Sequence, residues 1–222
     1  MFDLDGTLAD TLDDIAAAAN HALDSHGHAA HPTPAFRRLA GQGVRRLFED
    51  AIGRDEPAAI EPLVDAFRER YAEVAYDRTG PYPGVPELLD ELRRRDVTLA
   101  VLSNKPHAAT VAMIDRLFSR WRFDAVRGAR DGTPLKPDPA AAVAIARELD
   151  IPPADWVYVG DTAADMLTGK RAGFFTLGVT WGFRDEAELV EHDADAIVHA
   201  PADVLRYLAP FTNVHREPNP EA

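Results

Sequence analysis

Met1-Phe2-Asp3-Leu4-Asp5-Gly6-Thr7 sets two carboxylates two residues apart, directly ahead of a glycine and a threonine. Side chains at i and i+2 of an extended segment point the same way, so Asp3 and Asp5 face one site if the chain stays extended as far as Asp5. Gly6 then permits a sharp turn. A carboxylate can attack phosphorus as a covalent nucleophile, and a second carboxyl beside it can carry the proton that a leaving oxygen needs. These residues therefore point to phosphoryl transfer through an aspartyl nucleophile. Taken alone, they fit a strand end and an Asp-Gly turn equally well.

Three groups further along supply what such a reaction lacks. Phosphoryl transfer needs in-line geometry and charge neutralisation more than elaborate covalent chemistry. Ser103-Asn104-Lys105 offers a hydroxyl and backbone donors for phosphate oxygens, as do the N–H groups around Leu4-Asp5. Gly160-Asp161-Thr162, with Asp165 four residues after Asp161, adds two carboxylates, and Lys136 lies in Leu135-Lys136-Pro137-Asp138-Pro139. Mg²⁺ takes oxygen ligands, commonly a few carboxylates with water and substrate phosphate, so Asp3, Asp161 and Asp165 are candidate contributors. Converging carboxylates without a cation would raise one another's pKa values, which argues for a metal and a lysine, Lys136. Each group has a plainer reading: a strand-end turn at Ser103-Asn104, a solvated charge at Lys136, a helix cap at Asp161-Thr162. Their occurrence together, each near the end of a strand, is what carries the argument.

The elements that must position them follow from periodicity. From about Asp10 to Arg78 the pattern is helical, with Leu12, Ile15, Ala19 and Leu23, then Ile60, Leu63, Val64, Phe67, Tyr71 and Val74, at buried-face spacing and without a strand signal. After Pro81-Tyr82-Pro83-Gly84, helices alternate with strands at Val97–Leu102, Phe123–Val126, Trp156–Val159, Phe174–Gly178 and Ala196–Val198, and a last helix spans Ala202 to about Leu208. Alternation implies parallel pairing, with the site at the carboxyl ends of the strands. Asp3, Ser103 and Asp161 all fall at such ends.

Composition narrows the partners. The 222 residues are 46% hydrophobic, enough for a substantial core, and 24 Lys+Arg against 37 Asp+Glu give a net charge of −13. That balance disfavours nucleic acid and anionic membrane, so positive potential must be local. The absence of cysteine excludes disulfides, thiolate catalysis and cysteine zinc sites. No apolar run reaches membrane-spanning length, and a cytoplasmic protein, monomer or homodimer, is expected. His21, His26, His28 and His31 lack the helical pairing with a carboxylate seen in zinc enzymes and read as a solvated cluster. Lys105 fits either phosphate attraction or solvent exposure, and Trp181 fits core or hinge packing.

Asp3-Leu4-Asp5-Gly6-Thr7, Leu102-Ser103-Asn104, Lys136-Pro137-Asp138-Pro139 and Gly160-Asp161-Thr162-Ala163-Ala164-Asp165 together resemble the four motifs of the haloacid dehalogenase superfamily. The resemblance covers nearly the whole chain. It implies an α/β Rossmann-like parallel sheet with helices on both faces and an inserted all-helical cap: residues 1–10 and 80–211 as catalytic core and 11–79 as cap, while the mostly polar stretch 212–222, with Pro218 and Pro220, reads by composition as a disordered tail. It also implies roles. Asp3 would be nucleophile and Mg²⁺ ligand, and Asp5 general acid then base, lending the metal its backbone carbonyl. Asp161 would be a direct ligand, with Asp165 behind it orienting a metal-bound water or Lys136. Ser103, Asn104 and Lys136 would hold the phosphoryl group. Members that do not protonate an alkoxide lack an aspartate at the position of Asp5, so a phosphatase or phosphomutase is favoured.

Ser103-Asn104-Lys105-Pro106, Pro81 to Val85, Thr180-Trp181-Gly182 and Gly41-Gln42-Gly43-Val44-Arg45 are similar, more loosely, to phosphoglycolate phosphatases. The substrate this implies is a small phosphate monoester, 2-phosphoglycolate, whose carboxylate needs a cation; Arg45, or Arg46 beside it, is the candidate. A β-phosphoglucomutase-like mutase, another small-molecule phosphatase or pyrophosphatase and, remotely, a non-catalytic phosphoacceptor module are the alternatives. Family members usually carry several apolar residues before the nucleophile; here only Met1 and Phe2 precede it, from which a natural start further upstream is expected, or else a stub of a first strand.

Overall fold

The computed structural model describes residues 1–54 and 56–208; the tail expected at 212–222 lies outside them. In chain order the elements are β1 (Ala9–Asp10), α1 (Leu12–Ser25), α2 (Phe36–Leu39), α3 (Val44–Ile52), α4 (Pro57–Val74), β2 (Gly80–Pro81), α5 (Val85–Arg94), β3 (Ala100–Pro106), α6 (His107–Leu117), β4 (Ala125–Ala129), α7 (Ala140–Glu148), β5 (Val157–Gly160), α8 (Ala163–Ala172), β6 (Phe175–Val179), α9 (Glu186–Glu191) and β7 (Ala196–Val198). The helix expected at the end of this series is a 3₁₀ helix, Pro201–Tyr207.

The sheet is parallel, and its middle is the segment carrying the first motif. β3 pairs with β4, and β5 with β6 and then β7. Phe2 bridges Val101 on one side and Val159 on the other. Its N–H donates to Ala100 (2.8 Å) and its carbonyl accepts from Leu102 (3.0 Å); the Val159 N–H donates to Met1 (2.9 Å), and Asp3 N–H returns to Val159 (2.9 Å). Two residues thus complete a central strand. Period-two alternation then sorts side chains: Phe2, Val101, Val157 and Val159 pack with α5 and α6 on one face. Met1, Ala100, Leu102 and Tyr158 pack with Ala142 and Ile145 of α7 on the other. Burial on both faces explains why these strands read as unbroken apolar runs.

The chain turns at Leu4, earlier than an extended Asp3-Leu4-Asp5 requires. Leu8 and Ala9 N–H groups both donate to the Leu4 carbonyl, and Gly6, at φ +90°, donates to Ala9. The run paired with the sheet therefore ends at Asp3, before Asp5.

α1 to α4 build a core of their own. Ala18, Ala19, Ala22 and Leu23 of α1 face Ile60, Leu63, Phe67 and Tyr71 of α4, with Phe36 and Phe48 closing the cluster. Phe67 stacks on Tyr71 at 5.2 Å and receives Phe48 edge-on at 6.0 Å. Alanines on α1 let α4 approach closely. The chain enters and leaves this unit through the antiparallel pair β1–β2, Ala9 opposite Pro81 and Asp10 opposite Gly80. Asp14, buried at the start of α1, fastens the return: it accepts from Thr79 N–H (2.8 Å), Thr79 Oγ1 (2.7 Å) and Arg78 N–H (3.1 Å). Periodicity missed this strand pair because two residues hold no period. β3 also begins later than Val97 and runs through Ser103, Asn104 and Lys105, since its first partner in β4 is reached at Ala100.

Candidate active site

The strand ends bring Asp3, Lys136, Asp161 and Asp165 together. Lys136 Nζ lies 2.8 Å from Asp3 Oδ1 and 2.7 Å from Asp165 Oδ1. Asp165 is held by its place in the first turn of α8, where its carboxylate accepts from Thr162 N–H (3.0 Å) and Thr162 Oγ1 (2.7 Å), closing a capping box. Asp161 accepts from Thr7 Oγ1 (2.8 Å) and from the Phe183 N–H (2.8 Å). The main chain of Lys136 is clamped by Asn104, whose Oδ1 accepts from its N–H (2.8 Å) and whose Nδ2 donates to its carbonyl (3.1 Å) and to Gly41 (3.2 Å). Asn104, expected on substrate, thus has its amide engaged in holding the lysine and the loop opposite it.

The packing around Asp161 leaves no spare volume. A Cβ on Gly6 would stand 2.2 Å from Asp161 Oδ2, and one on Gly182 would stand 2.3 Å from both Asp161 Cβ and the Gly6 carbonyl. Both glycines make way for this carboxylate.

Asp3, Asp161 and Asp165 are buried and each offers an oxygen within 4.8 Å of the others. Burial and the Asp165 charge push Asp3 well above the usual carboxylate range, against the pull of Lys136. The same two causes push Asp161 up to about 7. Burial acts to lower Lys136, but Asp165 and Asp3 outweigh it and the ammonium is held well above its ordinary value. Three carboxylates against one ammonium leave a buried negative excess, and hard oxygen donors are what a divalent cation such as Mg²⁺ prefers. The donor set fits such an ion. Asp165, expected behind the ligands, supplies the third carboxylate of the cluster, while the Asp5 carboxylate lies outside it.

Asp5 instead meets Lys105, whose Nζ is 3.1 and 3.3 Å from its two oxygens and 2.9 Å from Tyr71 Oη. Lys105 is buried: its side chain is 7% exposed. It bridges the sheet to α4, over the Tyr71 ring. Asp3, Asp5, Ser103, Asn104 and Lys105 all line one cavity of about 310 Å³, roofed by Gly41, Val44, Leu47, Phe67 and Tyr71. Ser103 is buried there, its Oγ accepting from the Lys105 N–H (3.2 Å). Arg45 lines a neighbouring hollow beside Arg130 and Leu135 instead, half exposed and ion-paired with Glu61 and Glu49. Arg46 is paired with Asp50 on the surface.

A strap after β6 completes the site. Trp181 Nε1 donates to the Thr7 carbonyl (3.0 Å), and the Phe183 ring enters the core of the helical unit. Arg184 Nη2 donates to Arg38 (3.1 Å) and Ala40 (3.0 Å), and its Nε faces Glu188 (3.2 Å), which accepts from Ala163 at the start of α8. Arg37 Nη1 donates back to Gly182 (2.6 Å). Phe183, Arg184, Glu188 and Tyr71 carried no functional signal in a motif reading. The strand-end rule, applied to β6, would have reached the first two.

Residues 1–179 match the model of the haloacid dehalogenase-like hydrolases. A phosphoglycolate phosphatase of Aquifex aeolicus is 32% identical over 208 residues, covering 94% of this chain and 95% of the relative. Phosphoglycolate phosphatase 1 of Pseudomonas aeruginosa is 32% identical over 214 residues, 92% of this chain and 77% of that one. Among solved structures, a haloacid dehalogenase-like hydrolase from Streptococcus pneumoniae superposes with a TM-score of 0.85 at 26% identity, covering 93% and 96% of the two chains.

Proposed function

The chain belongs to the haloacid dehalogenase-like hydrolase family, and from that premise we propose that it is a Mg²⁺-dependent phosphatase hydrolysing small phosphate monoesters, 2-phosphoglycolate among them, through an aspartyl-phosphate. The observation that carries this reading is Lys136 Nζ bridging Asp3 and Asp165, with Asp3 also lining the cavity that holds Asp5 and Ser103. The phosphatase names of relatives at about a third identity support the substrate class.

In this reading Asp3 attacks phosphorus with a carboxylate oxygen. Lys136 and the Ser103 hydroxyl hold the non-bridging oxygens, and backbone donors around Leu4 and Asp5 assist them. Asp5 gives its proton to the leaving alkoxide, then takes one from the water that opens the acyl phosphate. Mg²⁺, held by Asp3, Asp161 and the Asp5 carbonyl, with Asp165 contributing or orienting, would neutralise the charge of phosphate and carboxylates meeting in a buried place. The helices within 11–79 act as a cap over a catalytic body of 1–10 and 80–211, excluding water from the closed site.

A screen of phosphate release from phosphorylated acids, sugars and an aryl phosphate, with and without Mg²⁺, tests this. Metal-dependent release from small monoesters is expected. Isomerised sugar phosphate instead of free phosphate would mean a mutase, and no release from any ester would end the phosphatase reading.

A further inference from the structure

We propose that Lys105 and Tyr71 form a carboxylate-reading end of the substrate cavity, so that the preferred substrates are phosphate esters of 2-hydroxy acids, including those with an apolar group on C2. This deepens the phosphatase reading and rests on it.

The cavity is apolar away from the reacting carboxylates. Its far wall is Ile15, Val44, Leu47, Phe67, Ala72 and Ala109. Lys105 and Tyr71 interrupt that wall beside Asp5. The Lys105 ammonium donates to three oxygens, Tyr71 Oη at 2.9 Å and the two of Asp5 at 3.1 and 3.3 Å, so its weakest contact is the longer one to Asp5. Tyr71 accepts from Lys105, and among the described residues nothing accepts its own hydroxyl hydrogen. Burial raises the Tyr71 pKa, so the hydroxyl keeps that hydrogen. A phenol hydrogen without an acceptor thus lies beside an ammonium whose longest contact, 3.3 Å, a second carboxylate can replace, in a place where a donor without an acceptor is costly. A carboxylate with two oxygens answers both.

Position selects which carboxylate. The group that protonates the leaving oxygen, Asp5, is 3.1 Å from the Lys105 nitrogen. An acid group on the carbon next to the ester carbon therefore arrives beside Lys105 when the ester oxygen sits at Asp5. Arg68, the other cation on the wall, is largely exposed and paired with Asp65. Arg45 does not line this cavity. The two-carbon acid of phosphoglycolate leaves most of about 310 Å³ unfilled, and the surplus is bounded by aliphatic and aromatic carbon. An alkyl or aryl group on C2 occupies it and removes apolar surface from water.

The test uses a matched pair, 2-phosphoglycolate and ethyl phosphate, which differ by the acid group, together with 2-phospholactate and phenyl phosphate. The wild type with Mg²⁺ should favour phosphoglycolate over ethyl phosphate by about tenfold or more in kcat/KM, and should accept phospholactate at least as well as phosphoglycolate. In Lys105→Met the acid-to-neutral ratio should fall about tenfold, and in Tyr71→Phe several-fold, mostly through KM for the acids. Equal losses on both esters would show that Lys105 acts through Asp5 and would overturn the assignment, as would a wild-type ratio near one. Should Lys105→Met fail to fold, Tyr71→Phe decides alone. Absence of release from phenyl phosphate and every other ester would instead remove the phosphatase reading itself, and this inference with it.

Discussion

Lys136 and Lys105 are both buried ammonium groups set on carboxylates of one five-residue segment, and they are held in opposite ways. Every partner of Lys136 belongs to the sheet body: Asp3 from the central strand, Asp165 from α8, Asn104 from β3. Lys105 has one partner in that body, Asp5, and one on α4 of the inserted helices, Tyr71. The first lysine is held from within one unit. The second is held from two. In the proposed reading, reaction chemistry sits at the strand ends of the sheet body, and recognition is shared across a junction of two short strands.

The sharpest way to break this comparison is at the nucleophile. Asp3→Asn should lower turnover of phenyl phosphate by about 10⁴-fold or more; near-normal rates in a stopped assay would refute the assignment of chemistry to the sheet body. Lys136→Met removes the ammonium that bridges Asp3 and Asp165 and should cost about 3 kcal/mol or more of folding free energy without added metal, read from urea midpoints. Saturating Mg²⁺ should recover part of that loss if the cluster binds the ion, because binding to the folded state alone stabilises it.

A pH series sharpens the same point. Asp161 has a folded pKa of about 7, raised above its unfolded value by burial and Asp165. A raised carboxylate contributes stability that is full below the unfolded pKa and lost as pH rises through the folded one. Metal-free protein should therefore lose melting temperature between about pH 4 and pH 7, and Mg²⁺ should flatten that slope; a slope of opposite sign, or one indifferent to Mg²⁺, would contradict it. On the other side of the comparison, Asp14→Ala frees the return strand of the junction. The expected cost is about 1 to 3 kcal/mol, with KM for acid substrates rising more than kcat falls. A change in kcat alone would say that the junction does not govern recognition.

The smallest effect belongs to a site outside both regions. Asp195 accepts from Thr176 N–H and Thr176 Oγ1 and pairs with Lys170, contacts that together hold its pKa below the ordinary value against burial. Its contribution is present above the unfolded pKa and fades as pH falls through the folded one. Asp195→Asn should cost about 1 kcal/mol or less at neutral pH, given the partial exposure of the pair. That cost should shrink in acid.

The two regions were unequally legible in the sequence. Asp3, Lys136, Asp161 and Asp165, which the structure brings together, stand out in the sequence because the proposed phosphoryl transfer demands particular residue types at strand ends. The helical unit was visible as a period, since Ile60, Leu63, Phe67 and Tyr71 fall on one face of α4. That same regularity concealed Tyr71, whose ring behaves as core while its hydroxyl reaches Lys105. Lys105 could be read either way, because one residue in a strand says nothing of what descends on it. Arg45 had the right charge in the right loop and still points to a different hollow, since side-chain direction on a short helix depends on where α3 docks. The strap from Trp181 to Arg184 links elements far apart in the chain, and no local pattern encodes that.

Gly182 belongs to none of the four motifs, yet it stands where any side chain would overlap Asp161 and the turn at Gly6. Its contribution is an absence of atoms. Sequence drift at this position is therefore barred by geometry alone, and a survey of tolerated substitutions should rank it beside the acids proposed to do the chemistry, although it has no side chain to exchange a proton or touch phosphorus. Essentiality and participation are separate properties in this centre, and a residue can be indispensable for the room it leaves.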